Sequence, residues 1–133
     1  MMRNIGEAAA ASGVSAKMIR YYESIGLVPP AVRTATNYRC YDDNAISALR
    51  FIASGRHLGF SLEEIGRLLS LWRDKHRASA EVKRIALHHI AELDHRIRGL
   101  TEMKQALEGL AEACHGDDRP DCPIMDRLVG SPP

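Results

Sequence analysis

Apolar residues recur every three or four positions in short segments of this chain, and glycine, proline or a capping side chain separates one segment from the next. That pattern predicts four short helices and one long one. Residues 5–11 form an Ala-rich helix stopped by the Ser12-Gly13 turn, and Ser15 caps a second helix over 16–24 that ends at Gly26, ahead of Pro29 and Pro30. Two helices joined by a short glycine-containing turn make a helix-turn-helix, a pattern that many small α-helical domains also contain. Between Val32 and Tyr41 the threonines and tyrosines, with Asn37 at the tip, predict a small hairpin. Asp42 or Asp43 can cap a third helix over 44–57, whose broad apolar face carries Ile46, Leu49, Phe51 and Ile52 and which Gly59 ends. Ser61 and Glu64 form a capping box for a fourth helix over 62–72. Phe51, Phe60 and Trp72 are expected to pack in the core.

After a polar stretch at 73–79, Ser79 caps a helix that runs to about residue 113. Val82, Ala86, Ile90, Leu93, Ile97, Leu100, Leu107 and Ala111 follow mostly alternating spacings of three and four, and Met103 covers the turn that Lys104 interrupts. A stripe this narrow is a coiled-coil seam, which one chain cannot bury alone. At 1.5 Å per residue the helix extends about 50 Å. Its most economical partner is its own copy, so a homodimer is expected, in an orientation the stripe does not specify. Pro123 can open a last turn or two of helix over 124–128, and Gly130, Pro132 and Pro133 are expected to end order.

A length of 133 residues bounds the protein to one domain, or one small domain with an appendage. A core built from residues 1–72 alone is small, which adds to the case for a partner subunit. With 18 basic and 17 acidic residues, no global field advertises nucleic acid. Residues 1–72 are mildly basic, with eight Lys/Arg against six Asp/Glu, a balance compatible with DNA. No apolar run approaches the roughly 20 residues of a membrane span. The first residues lack the basic-then-apolar pattern of a signal peptide. A cytoplasmic protein is therefore expected, in a compartment where stable disulfides are rare. No nucleophile–base pair or acid pair points to an enzyme.

Candidate chemistry concentrates in Cys114-His-Gly-Asp-Asp-Arg-Pro-Asp-Cys122. Gly116 and Pro120 punctuate this loop, which can fold back and point two sulfurs at one soft ion. Two thiolates alone suit Cu(I) above all, because soft sulfur selects soft monovalent ions. A structural zinc site usually needs four ligands, which are absent here. A disulfide, or two unrelated cysteines in a surface turn, are the bland alternatives.

The runs Ile5-Gly-Glu-Ala-Ala, Val14-Ser-Ala-Lys-Met-Ile-Arg-Tyr-Tyr-Glu, Gly26-Leu-Val, Asn37-Tyr-Arg and Leu58-Gly-Phe-Ser-Leu-Glu-Glu-Ile, followed by the two-cysteine loop and Pro-Ile, resemble the MerR family of transcription regulators in its copper-efflux branch. The resemblance covers residues 3–129. It implies a mainly α fold: a winged helix-turn-helix DNA-binding domain over 1–72, a linker at 73–79, a dimerisation helix over 80–113, a metal-binding loop at 114–122 and a short C-terminal helix and tail at 123–133. Lys17, Arg20, Tyr21 and Tyr22 match the helix that enters the major groove, and Arg33, Tyr38 and Arg39 match the wing. Arg56 is a further phosphate candidate. Arg and Lys can neutralise phosphates and a Tyr hydroxyl can fix register. Tyr21 and Tyr22 are adjacent on a helix and cannot both face DNA, so Tyr21 is expected in the core and Tyr22 on the DNA.

Cys114 and Cys122 are the expected metal ligands, binding one Cu(I), or alternatively Ag(I) or Au(I), per subunit. Family members that sense divalent ions carry a cysteine where this chain has Ser79, which leaves two thiolates and puts Ser79 beside the ion rather than on it. His115 is not expected to ligate, and Cys40 reads as a wing residue. The family's partners are double-stranded promoter DNA and RNA polymerase, the operator lying in an overlong spacer between the two promoter elements. Metal binding is expected to bend and untwist that spacer and switch on copper-efflux genes. Pro120 leaves a gold-selective sensor open. Outside the branch, the alternatives are a thiol redox sensor built on the same cysteines and a multidrug sensor. The multidrug class usually has a long extra domain after the dimer helix, where only about twenty residues follow here.

Overall fold

The computed structural model describes residues 2–36 and 38–130, so the hairpin tip expected at Asn37 and the end of order expected at Pro132 and Pro133 lie outside the described residues. The chain divides into two compact units, Met1–Ile85 and Ala86–Pro133.

The first unit begins with a reciprocal cap. Asn4 Oδ1 accepts from the Glu7 amide at 2.8 Å and Glu7 Oε1 accepts from the Asn4 amide at 3.0 Å, starting α1 (Ile5–Ser12). Gly13, at φ 77°, ends α1 in the left-handed conformation. Ser15 caps α2 (Ala16–Ser24) by accepting from the Met18 amide. The hairpin is minimal: β1 (Val32–Arg33) pairs antiparallel with β2 (Arg39–Cys40), Val32 opposite Cys40 and Arg33 opposite Arg39. Just beyond it Tyr41 exchanges two backbone hydrogen bonds with Arg3, at 2.7 and 2.9 Å, which ties the N-terminal arm to the wing. Asp42 caps α3 (Asp43–His57), and the Ser61–Glu64 capping box starts α4 (Leu62–Arg73).

Ala8, Ile19, Tyr22, Val28, Tyr41, Leu49, Ile52, Ile65 and Leu69 belong to one buried cluster fed by all four short helices and the wing base. α3 and α4 cross closely at Gly55, where a Cβ atom would come within 2.9 Å of Ile65 Cγ1. Phe51 and Phe60 pack against this core. Trp72 corrects its expected burial: it is 42% exposed and stacks on Phe51 at 5.3 Å, so it caps the core edge instead of filling the centre. In the last turn of α4 it meets α3 through Phe51 on one side and leaves its other side open.

α5 runs from Ser79 to Ala113. Ser79 is thus its first residue and not a cap outside it, a shift of one position at a helix start. In the second unit α5 continues to the cysteine loop, and α6 (Pro123–Gly130) follows. Ile90, Ile97, Leu100, Met103 and Leu107, on the expected seam, are each more than half exposed in the single chain. No helix among the described residues is long and apolar enough to cross a membrane.

The α3–α4 crossing generates a stability prediction. Gly55→Ala forces Ile65 aside and lowers unfolding free energy by about 1–3 kcal/mol, the usual cost of overpacking. Urea denaturation measures this, and an unchanged midpoint would mean that the crossing has room to spare.

Candidate DNA-binding face and cysteine loop

α2 sorts its side chains by helical period. Ile19 and Tyr22 point into the core, while Lys17, Arg20 and Tyr21, spaced i, i+3 and i+4, share an exposed face. Tyr22 is 5% exposed and Tyr21 46%, which reverses the expectation that Tyr21 is the buried ring and Tyr22 the DNA-facing one. The physical reason is register: Tyr22 follows Ile19 by three residues, on the side that α1 covers, and adjacent residues on a helix diverge by about 100°. The two rings still touch, centroids 5.9 Å apart and tilted by 54°.

In the wing, Tyr38 is strongly exposed, and its backbone is held by Thr34, whose amide donates to the Tyr38 carbonyl at 2.8 Å and whose Oγ1 accepts from the Tyr38 amide at 3.1 Å. Arg33 is exposed. Arg39 is engaged within the domain, its Nη1 lying 3.7 Å from Glu23 Oε2 on α2. Glu23 also accepts a hydrogen bond from the Tyr41 hydroxyl. Burial first, then the Glu23 carboxylate, pushes the Tyr41 phenol up to about 12, so it remains a protonated donor at neutral pH. Glu23 closes the Arg-Tyr-Tyr-Glu run, a place that carries no local signal of its role. Only the tertiary contacts give it partners. Arg56 is exposed in the last turn of α3, on a separate element, where a cation also complements the helix dipole.

In the second unit, Cys114 follows the last turn of α5 and its amide donates to the Ala111 carbonyl at 3.2 Å. Cys122 opens α6, its carbonyl accepting from the Asp126 amide at 3.0 Å. Between them Asp117 accepts from the Arg119 amide and from its Nε, both at 2.9 Å, closing a tight turn. The Arg119 guanidinium holds the Asp117 carboxyl below the usual carboxylate range. Gly116, at φ 65°, permits the reversal. The two sulfurs converge to 3.6 Å, each partly shielded. The Met125 amide, donating to sulfur at the start of α6, holds the Cys122 thiol below its ordinary range, and the Cys114 thiol adds to this. Among the described residues no His, Asp, Glu or third Cys brings a ligand atom within 4.8 Å of both sulfurs. The donor set fits a soft ion that accepts two thiolates from one chain. Cys40 lies in β2 of the other unit, and His115 is exposed.

A helix-turn-helix with a minimal wing beside it defines a DNA-binding protein. Residues 4–41 match the family model described as "MerR family regulatory protein", and residues 46–110 the one described as "MerR, DNA binding". The chain is 58% identical over 126 residues to the "Heavy metal-dependent transcription regulator 2" of Rhizobium meliloti, covering 95% of this chain and 86% of that one. It is 42% identical over 127 residues to the "HTH-type transcriptional regulator CueR" of Salmonella typhimurium, covering 96% and 92%. Among solved structures, the transcription regulator PbrR691 from Ralstonia metallidurans, crystallised with lead(II), superposes with a TM-score of 0.83 at 31% identity, covering 97% of this chain and all of that one. The chain belongs to the MerR family of transcription regulators, a family of DNA-binding proteins and not of enzymes.

The division of the two tyrosines has a measurable consequence. Tyr22→Ala opens a core cavity and costs about 3–5 kcal/mol of stability, whereas Tyr21→Ala stays within about 0.5 kcal/mol of the parent, as exposed substitutions do. Equal losses in chemical denaturation would contradict the assignment.

Proposed function

We propose that this protein is a metal-responsive transcription activator that binds promoter DNA as a homodimer and is switched by Cu(I), with Ag(I) and Au(I) as chemically equivalent ligands. The observation that carries the reading is the convergence of Cys114 and Cys122 to 3.6 Å with, among the described residues, no His, Asp, Glu or third Cys ligand atom beside them. Two thiolates and a monovalent ion carry one net negative charge, and the Met125 amide at the start of α6 offsets it. Ser79 leaves the site without the further thiolate that divalent ions demand. Support for a metal response comes from the heavy-metal-dependent relative and from the lead-bound structural neighbour.

On the DNA side, Lys17 and Arg20 face the major groove with Tyr21, the more exposed ring, replacing Tyr22 as the register-fixing hydroxyl. Arg33 and Tyr38 extend the contact from the wing, and Arg56 adds a phosphate contact. The exposed α5 stripe closes against its copy. Ion binding by the two cysteines orders the loop and docks Pro123–Leu128, which biases how the paired DNA-binding domains sit on the operator. DNA distortion then favours RNA polymerase at an overlong spacer, and by reciprocity the distorted operator tightens metal binding. A second reading, a dithiol redox switch, draws on the same close sulfurs.

Anaerobic titration of the reduced protein with Cu(I), Ag(I), Au(I), Zn(II) and Hg(II), against a strong chelator, tests the ion. One monovalent ion binds tightly per subunit, and Cys114→Ser or Cys122→Ser abolishes it while operator binding survives. Tight zinc with weak Cu(I) binding overturns the two-ligand site, and a transcriptional response that follows oxidant but not copper under reducing conditions selects the redox switch. Arg20→Ala weakens operator binding with and without metal and lowers the slope of log K against log salt by about 0.9, the contribution of one neutralised phosphate. An unchanged affinity in this variant removes Arg20 from the DNA face.

A further inference from the structure

Glu23 is an unusual choice of residue for its position. It lies in the last turn of α2, where the negative end of the helix dipole disfavours a carboxylate, and its side chain is only 10% exposed. A carboxylate so enclosed is costly unless it is paired. Its partners come from outside the helix: the Tyr41 hydroxyl donates to Oε1, and Arg39 Nη1 stands 3.7 Å from Oε2. The wing has its own deficiency. Two strands of two residues each cannot hold an orientation by themselves, since even full two-stranded hairpins are marginal in water. Arg33 and Arg39 face each other across that hairpin, a like-charge pair that Glu23 offsets.

We propose that Glu23 and Arg39 form a strut that aims the wing relative to α2, so that Arg39 acts as a positioning residue and not as a phosphate ligand. This inference rests on the α2–wing face being the DNA-binding face, and it narrows that face to Lys17, Arg20, Tyr21, Arg33 and Tyr38. Tyr41 completes the strut, because its ring is locked in the core while its hydroxyl meets the same carboxylate. The docking face is then set before DNA arrives, and the wing does not lose orientational freedom on binding.

Operator affinity measured as a function of salt concentration separates a strut from a phosphate contact. Glu23→Gln and Arg39→Ala each weaken binding by about fivefold, the upper end for one partly exposed ion pair, with the salt slope unchanged. The double variant is no weaker than either single, because both act through one contact. Tyr41→Phe, which keeps the ring in the core, removes the second contact to the carboxylate and weakens binding on the same scale, with the salt slope unchanged. A slope lowered by about 0.9 in Arg39→Ala puts Arg39 on a phosphate and overturns the strut. A double variant about 25-fold weaker, the product of independent effects, overturns it too, as does a single variant that binds like the parent. Arg20→Ala is the reference: if its slope also stays unchanged, the DNA face itself is misassigned and the strut falls with it. A lowered slope in both Arg20→Ala and Arg39→Ala removes the strut alone.

Discussion

Tyr41 sits where three pieces of the N-terminal unit meet. Its ring is enclosed in the core, its backbone exchanges two hydrogen bonds with Arg3, and its hydroxyl donates to Glu23 on α2. One residue thereby links the N-terminal arm, the wing and α2. The link uses three kinds of interaction, of which only the buried ring is undirected. The two backbone bonds and the charge-assisted hydroxyl bond specify direction, and a wing of four paired residues needs that direction supplied from outside.

The same division between core and direction shapes α2. Ile19 and Tyr22 dock the helix, and this leaves Lys17, Arg20 and Tyr21 on an exposed face. Positive charge on that exposed face comes with little local neutralisation, because Glu23, the acid of this helix, is turned inward to Tyr41 and Arg39. A chain with nearly balanced charge can therefore still carry a locally basic face: the balance is global, and Glu23 is engaged elsewhere. Distribution decides the field at contact range, since screening confines exposed charges to about a Debye length.

The cysteine loop is built by different means. Its geometry depends on neighbours within nine residues: the Asp117–Arg119 clasp, the reversal at Gly116, and the amides at the start of α6 that face Cys122. A loop so local can change its length and spacing without disturbing a core. The α5 stripe is the opposite case, with Ile90, Ile97, Leu100, Met103 and Leu107 left more than half exposed in one chain.

Periodicity and caps were enough to locate the helices to within a residue or two, because the capping box at Ser61, the caps Ser15 and Asp42, and the glycine turn at position 13 act over three or four residues. The cysteine pair was legible for the same reason, as its spacing and its glycine lie within one short loop. Which tyrosine is buried was not legible, since Tyr21 and Tyr22 are chemically alike and the choice depends on where α1 covers α2. Trp72 read as core because it is large and apolar, yet only its stacking on Phe51 shields it and much of the ring stays exposed. Glu23 read as nothing in particular, because its partners Arg39 and Tyr41 are 16 and 18 positions away. By itself the sequence determined the elements and the chemistry held within them; the tertiary structure alone decided which faces are covered and which distant charges meet, because burial and pairing across the chain depend on packing that no local pattern encodes.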